Sequence, residues 1–216
     1  MKRLANAYFS PVPTFRSLFP AQARILTEKN LIDGNYDALV IWGGEDIATS
    51  IYNEQPGSHT SSAYGLSRRD ECEVTLAKLA IEMQIPIIGI CRGAQMMCAL
   101  SGGKVIQHVT GHAGRGHKIR ISSGRDIWTN SLHHQMMLPN GIEHTVLAKA
   151  IPNLSKYYLG AGDKPLELPG FEEPEVIWIP GTKSLCIQGH PEFNTATDEF
   201  VSYCEDLVDS YICQKN

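Results

Sequence analysis

Pro86-Ile87-Ile88-Gly89-Ile90-Cys91-Arg92-Gly93-Ala94-Gln95-Met96-Met97 is the stretch on which the fold turns. A proline opens a short apolar run of strand formers, and the chain passes without a linker into residues that read as a helix ending near Gly102-Gly103. Between Gly89 and Gly93, Cys91 falls where a buried strand must bend sharply into a helix. This is the cysteine counterpart of the G-x-S-x-G nucleophile elbow. Free N–H groups and the macrodipole at a helix N-terminus favour a thiolate, and the same N–H groups, that of Arg92 first, can face an oxyanion.

Upstream, Asp37 to Trp42 reads as a buried strand feeding a tight loop at Gly43-Gly44. Ser67 to Gln84 reads as a helix, with Leu76, Leu79, Ala80 and Met83 at helical spacing behind a charged first turn. Strand, helix, strand, helix in that order implies a parallel sheet with helices on its faces. Downstream the texture changes to short strand-like pieces, Lys104 to His108, His117 to Ile121, Asp126 to Trp128, Thr145 to Ala150 and Glu175 to Ile179. Several of these are expected to pair antiparallel at one edge. A last strand, Leu185 to Gln188, precedes a closing helix over Thr197 to Cys213 with Phe200, Tyr203, Leu207 and Tyr211 on one side. The first 36 residues show no clean opening strand.

The 216 residues suffice for one substantial core, and no linker-like stretch divides them, so a single domain over 1–216 is expected. Apolar content of 43% with 19% charged residues excludes disordered and fibrous classes. A net charge of -4 with scattered Lys and Arg gives no basis for nucleic-acid binding. No apolar run approaches the ~20 residues that cross a bilayer, and Lys2, Arg3, Asn6 and Pro11 interrupt any signal segment. A cytoplasmic protein with no membrane partner is expected. Six cysteines without a CxxC pair read as free thiols, mostly core residues, with Cys91 set apart by its elbow.

Gly189-His190-Pro191-Glu192 follows the last strand. Pro191 biases His190 toward extended backbone, in which residues two apart share a side, so His190 and Glu192 can lie together. A carboxylate on one imidazole nitrogen fixes the tautomer and leaves the other free to accept a thiol proton. Ends of parallel strands at one edge of an open sheet are where such folds place their sites. His108, His112 and His117 also invite a metal reading, but their loop offers no carboxylate or cysteine at a ligand-like interval. A mobile glycine-rich flap is the expectation there, with no metal and no cofactor. Gly43-Gly44 is no phosphate loop, since no GxxxxGK[ST] follows.

Together these motifs resemble the class I glutamine amidotransferases, and within them the gamma-glutamyl hydrolase branch (peptidase C26-like) that includes gamma-glutamyl-gamma-aminobutyrate hydrolase. The resemblance runs through Gly43-Gly44-Glu45-Asp46-Ile47 with Tyr52, Arg69-Asp70 with Glu73, and Pro86 to Gln95, then Gly102 to Gln107, Asn130-Ser131-Leu132-His133-His134-Gln135 and Gln188 to Glu192. It departs at Ala48-Thr49-Ser50, where the branch usually carries a proline, and at Gly189, where an aromatic residue often stands. It implies a single doubly wound α/β domain of flavodoxin-like type, a mostly parallel sheet flanked by helices with a small antiparallel extension. It implies Cys91 as nucleophile, His190 as base and Glu192 as its orienter, attacking a gamma-glutamyl amide or glutamine through a thioester. The resemblance further implies an oxyanion hole from the Arg92 N–H and a backbone N–H at Gly43 or Gly44, the latter favoured. Gln95, Gly43, His133 and His134 are its substrate-binding candidates. A stand-alone hydrolase, a glutaminase feeding ammonia to a synthetase partner, and a regulatory protein on a retired enzyme fold are the competing functions. A homodimer is left open.

Overall fold

The computed structural model describes residues 4–7, 27–114 and 116–213. The parallel half of the molecule is built from β1 (Leu4–Asn6), α1 (Glu28–Asp33), β2 (Ala38–Ile41), α2 (Arg68–Glu82), β3 (Ile87–Ile90) and α3 (Arg92–Leu100). Short strands follow: β4 (Lys104–Ile106), β5 (His108–Val109), β6 (His117–Ile121), β7 (Asp126–Thr129), β8 (Met136–Leu138), β9 (Thr145–Ala150) and β10 (Tyr158–Leu159). β11 (Pro174–Ile179), β12 (Ser184–Ile187) and α4 (Asp198–Tyr211) close the chain.

Among the described residues, eight strands form one sheet in the order β1-β2-β3-β12-β11-β9-β6-β7, while β4 pairs with β8 and β5 with β10. β1, β2, β3 and β12 run parallel to one another, and every pairing from β12 outward to β7 is antiparallel. The antiparallel extension thus reaches farther than its short sequence pieces suggested. The doubly wound arrangement is plain in the side chains. Leu39, Ile41, Ile87 and Cys186 pack with Leu31 of α1, Leu76, Ala77 and Ala80 of α2, and Ala94 and Met97 of α3. The alternate residues Val40, Ile88, Ile90, Leu185 and Ile187 face Phe200, Cys204, Leu207 and Val208 of α4. Period-two strands buried on both faces read as continuous apolar runs for this reason. Phe200 is fully buried, and its truncation to Ala is worth about 3–5 kcal/mol.

α2 begins in a capping box: the Ser67 hydroxyl accepts from the Asp70 N–H while the Ser67 N–H donates to the Asp70 carboxylate at 3.0 Å. Its inner face is Asp70, Glu73, Leu76, Ala77 and Ala80, whereas Met83 is exposed past the helix end rather than packed with Leu76 and Ala80 as its spacing suggested. The two acids replace apolar residues there because Arg92 of α3 answers them. An opening strand, β1, does exist, pairing parallel with β2. Residues 8–26, including Pro11 of the interrupted N-terminal segment, lie outside the described residues. The piece read as one strand over Lys104 to His108 is two, broken at Gln107. The Gln107 side chain turns inward to accept from the Gly57 N–H at 2.7 Å and to donate to the Gln55 carbonyl at 3.0 Å.

Candidate active site

β2, β3 and β12 are sheet neighbours, and the segments leaving their C-terminal ends meet at one edge. Cys91 follows β3 directly, caps α3 and adopts φ 49°, ψ -105°, a backbone conformation costly for a residue with a Cβ. Its N–H is held by the Ile187 carbonyl at 2.7 Å. The glycines around it are required by close approach: a Cβ on Gly89 would stand 2.6 Å from the Gly93 carbonyl oxygen, and one on Gly93 would stand 2.1 Å from that of Ile41. Sharp entry into α3 therefore depends on bare backbone on both sides of the thiol.

His190 faces Cys91. Its Nδ1 lies 2.8 Å from Glu192 Oε1, and its ring stacks on Phe193 with centroids 4.4 Å apart and parallel planes. Burial works against the imidazolium, but the hydrogen bonds and charges of Cys91 and Glu192 outweigh it and raise the His190 pKa to about 10. The local backbone is not extended as Pro191 suggested. The Phe193 N–H donates to the His190 carbonyl at 3.2 Å, so His190 to Phe193 is a β-turn with Pro191 at its favoured second position. Turn and extended chain both place Glu192 beside His190, but only the turn also brings Phe193 under the ring. Asn130 fixes this segment from across the sheet: its side-chain amide donates to the His190 carbonyl at 2.8 Å and accepts from the His190 N–H at 2.9 Å.

The Gly43-Gly44 loop is held from behind by Arg69 of α2, whose Nη2 donates to the carbonyls of Trp42 and Gly43 at 3.0 Å each. In a trans peptide the N–H points opposite to the C=O, so fixing these carbonyls turns the N–H groups of Gly43 and Gly44 away from Arg69. Arg69 is itself held by Glu73 at 2.9 Å. Arg92 reaches the same acids, Asp70 at 2.5 Å and Glu73 by a second charged contact, with all three side chains buried. α2 and α3 are thereby locked in place at the elbow.

The remaining candidates are less centrally placed. Gln95 is buried one turn beyond Cys91, and its amide donates to the Gln135 carbonyl at 3.0 Å. His134 is half-buried, with Nε2 3.1 Å from Asp46 Oδ1 in the loop after Gly43-Gly44, and that hydrogen bond raises its pKa. His133 points elsewhere, into a buried group comprising His112, His117, Glu173 and Glu175. Burial opposes ionisation of Glu175, yet the three imidazoles around it hold its carboxyl well below the usual range. The glycine-rich segment expected as a flap is tied down here: His112 is fully buried, and Ala113 bridges to Leu132. His108 instead stacks on His59 with centroids 4.1 Å apart. All six cysteines are free, and burial pushes Cys98 up to about 12 and Cys186 and Cys204 well above the ordinary thiol range. Sequence reasoning gave Arg69 and Asn130 no separate role. A motif holds no signal that a side chain will anchor backbone carbonyls from behind.

The fold is that of the class I glutamine amidotransferases. A candidate GMP synthase component from Thermoplasma acidophilum superposes with a TM-score of 0.51 at 15% identity, covering 85% of this chain and 79% of that one. A glutamine amidotransferase from Thermotoga maritima gives 0.50 at 14%, covering 81% and 65%, and at such identities the likeness is one of fold. The profile of the Peptidase C26 family matches residues 15–154, and the chain belongs to that family. A glutamine amidotransferase-like protein of Lactococcus lactis is 26% identical over 150 residues, 57% of this chain and 63% of the relative. A carbamoyl phosphate synthase small chain of Ralstonia nicotianae is 32% identical over 124 residues, 56% of this chain and 29% of the relative. The chain therefore spans less than two thirds of the length of these relatives. Among the described residues, no helix is long and apolar enough to cross a membrane.

Proposed function

We propose that the protein is a cysteine-dependent hydrolase that cleaves the gamma-glutamyl C–N amide bond of glutamine or a gamma-glutamyl amine. Cys91 is the nucleophile, His190 the acid and base, and Glu192 the group that orients His190. The observation carrying this reading is the elbow: a strained thiol at a helix N-terminus, facing an imidazole whose other nitrogen sits 2.8 Å from a carboxylate. The sulfur, its proton held on His190, attacks the amide carbon, and the oxyanion is met by the N–H groups of Arg92 and Gly44. His190 returns the proton to the nitrogen as the C–N bond breaks, leaving a gamma-glutamyl thioester. A water that gives its proton to His190 then cleaves the thioester and restores Cys91. Gln95 and Gly43 line the substrate side in this reading, with His134 bordering it through Asp46. His133 contributes through the segment it anchors.

A second reading, a glutaminase that passes ammonia to a separate synthetase, is favoured by the kinship to a carbamoyl phosphate synthase small chain. One experiment separates them. Ammonia and glutamate release from glutamine is measured beside amine release from a panel of gamma-glutamyl amides, for wild type and Cys91→Ala. Cys91-dependent cleavage of one amide well above glutamine supports the stand-alone hydrolase. Absence of turnover, with Cys91 still alkylated by a glutamine analogue, supports the partner-dependent enzyme. Turnover retained by Cys91→Ala sinks both.

A further inference from the structure

His112, His117, His133, Glu173 and Glu175 come from four places in the chain: the loop before β6, β6 itself, the loop before β8, and the start of β11. All five are buried, none more than 6% exposed. The hydrogen-bond partners decide the tautomers. His133 Nδ1 lies 2.9 Å from the Gln135 carbonyl oxygen, which can only accept, so the hydrogen sits on Nδ1. In the neutral imidazole His133 Nε2 is then left with a lone pair, has no hydrogen-bond partner among the described residues, and stands 3.7 Å from Glu175 Oε1. His112 Nε2 lies 3.0 Å from Glu173 Oε2, which places a hydrogen there. His112 Nδ1 faces Glu175 Oε1 at 3.2 Å, off the line needed for a hydrogen bond, and is likewise unpartnered. His117 Nε2 donates to Glu175 Oε1 at 2.8 Å from the outer side, and Glu175 Oε2 has no hydrogen-bond partner among the described residues.

Two unpartnered imidazole nitrogens and a carboxylate directed at one another in a buried site call for a positive charge among them, either a proton on an imidazole or a metal cation coordinated by all three. One ligand atom from each of His112, His133 and Glu175 lies within 4.8 Å of the others. Ligands held at 2.0–2.2 Å in a tetrahedral site stand about 3.3–3.5 Å apart, close to the 3.2 and 3.7 Å from the carboxylate oxygen to the two imidazoles. The outer partners are also those of a metal site: each histidine offers its second nitrogen to an acceptor, Glu173 for one and a backbone carbonyl for the other.

We propose that His112, His133 and Glu175 form a binding site for one divalent transition-metal ion of the zinc class, with Glu173 and the Gln135 carbonyl orienting the two histidines. Nitrogen donors select zinc and its neighbours over magnesium and calcium, which take oxygen ligands. The ion fastens the segment from Asn130 to Gln135, which clamps the His190 backbone at one end and accepts the Gln95 amide at the other. It sits beside the candidate active site and holds one wall of it. The sequence offered no carboxylate near His112, because Glu175 lies over sixty residues away and arrives only through pairing of the antiparallel strands.

The test uses the full chain carrying Cys91→Ser, which removes the thiol facing His190 as a rival ligand. The protein is stripped with a chelator, titrated with zinc against a chromophoric competitor, desalted, and assayed for bound zinc, thermal midpoint and X-ray absorption. The expected result is about one zinc per chain with only nitrogen and oxygen scatterers, and a midpoint that rises with zinc. Glu175→Gln and His133→Ala should lose the binding, and Glu173→Gln should weaken it about 10–100-fold. No zinc in the Cys91→Ser chain, sulfur in the coordination shell, or unchanged affinity in Glu175→Gln each overturns the proposal. Should the ligand variants fail to fold, the stoichiometry and spectrum of the Cys91→Ser chain decide alone.

Discussion

Gly43→Ala tests the candidate active site with the smallest possible perturbation. A Cβ at this position would stand 2.7 Å from His190 Cε1 and 3.4 Å from Cys91 Cβ. Ordinary carbon contacts begin near 3.5 Å, so the imidazole must retreat by about 1 Å. It cannot do so freely, because Phe193 is stacked on the ring and Glu192 holds Nδ1 at 2.8 Å. Gly43 does not have the left-handed φ that would itself disfavour alanine, so the fold should be unaffected. Misplacing a reacting group by about 1 Å costs on the order of 10²-fold in rate, or about 2.7 kcal/mol of barrier. The assay is the rate at which a glutamine-like chloroketone alkylates Cys91, followed by mass spectrometry, with turnover measured on any substrate found for the wild type. The thermal midpoint serves as control. An alkylation rate equal to wild type at an unchanged midpoint would refute the placement of His190 against Gly43.

Arg92→Ala should destabilise by about 3–5 kcal/mol in urea unfolding, because it leaves the buried carboxylates of Asp70 and Glu73 short of their shared partner; a loss under about 1 kcal/mol would deny that the pair is buried. Cys91→Gly should be more stable than Cys91→Ala by about 1–3 kcal/mol, since only glycine relieves the positive φ, and equal stability would remove the claim of strain. The folded-state pKa of His190, about 10, lies above its ordinary value of 6.5, so the stabilisation it supplies is fully present below pH 6.5 and is lost as pH rises toward 10. Glu192→Gln should therefore cost more stability at pH 6 than at pH 10, and a cost independent of pH would count against the ion pair.

Legibility followed the range of the interactions. The elbow at Cys91 could be read because strand, glycines and helix are contiguous, and His190-Pro191-Glu192 because its pair is two residues apart. Helices α2 and α4 had two or more turns of periodic apolar residues. By contrast, α1 buries only Leu31, and β1 is three residues long, too few points to define a period. β8 is Met136-Met137-Leu138, buried throughout, with no alternation to mark it. Asp70 and Glu73 look like a solvated first turn until Arg92 arrives from another helix. The His112 group was half legible for the same reason: His112 and His117 stood out together and invited a metal reading, which was set aside because His133, Glu173 and Glu175 lie far off in sequence and only the fold gathers them.

Sheet register explains why the three segments of the candidate site converge. Ile41 stands opposite Gly89, and Ile187 opposite Ile90, so β2, β3 and β12 end at nearly one level. Gly43, Cys91 and His190 then follow those ends by two, one and three residues. A slip of one residue in β12 would move His190 by about 3.3 Å along the strand and turn every β12 side chain to the other face of the sheet. Backbone bonds continue one residue past the strand ends, from the Cys91 N–H to the Ile187 carbonyl and from the Gln188 N–H to the Glu175 carbonyl, and farther out side chains hold this level: Arg69 grips the carbonyls of Trp42 and Gly43, and Asn130 both backbone groups of His190. These anchors bond to backbone, so substituting them should change where the site's groups stand without changing their chemistry. Asn130→Asp keeps one acceptor for the His190 N–H and loses the donor to its carbonyl. Alkylation of Cys91 by the chloroketone should therefore slow in this variant even though Cys91, His190 and Glu192 all remain, and an unaltered rate would show that the turn holds His190 in place unaided.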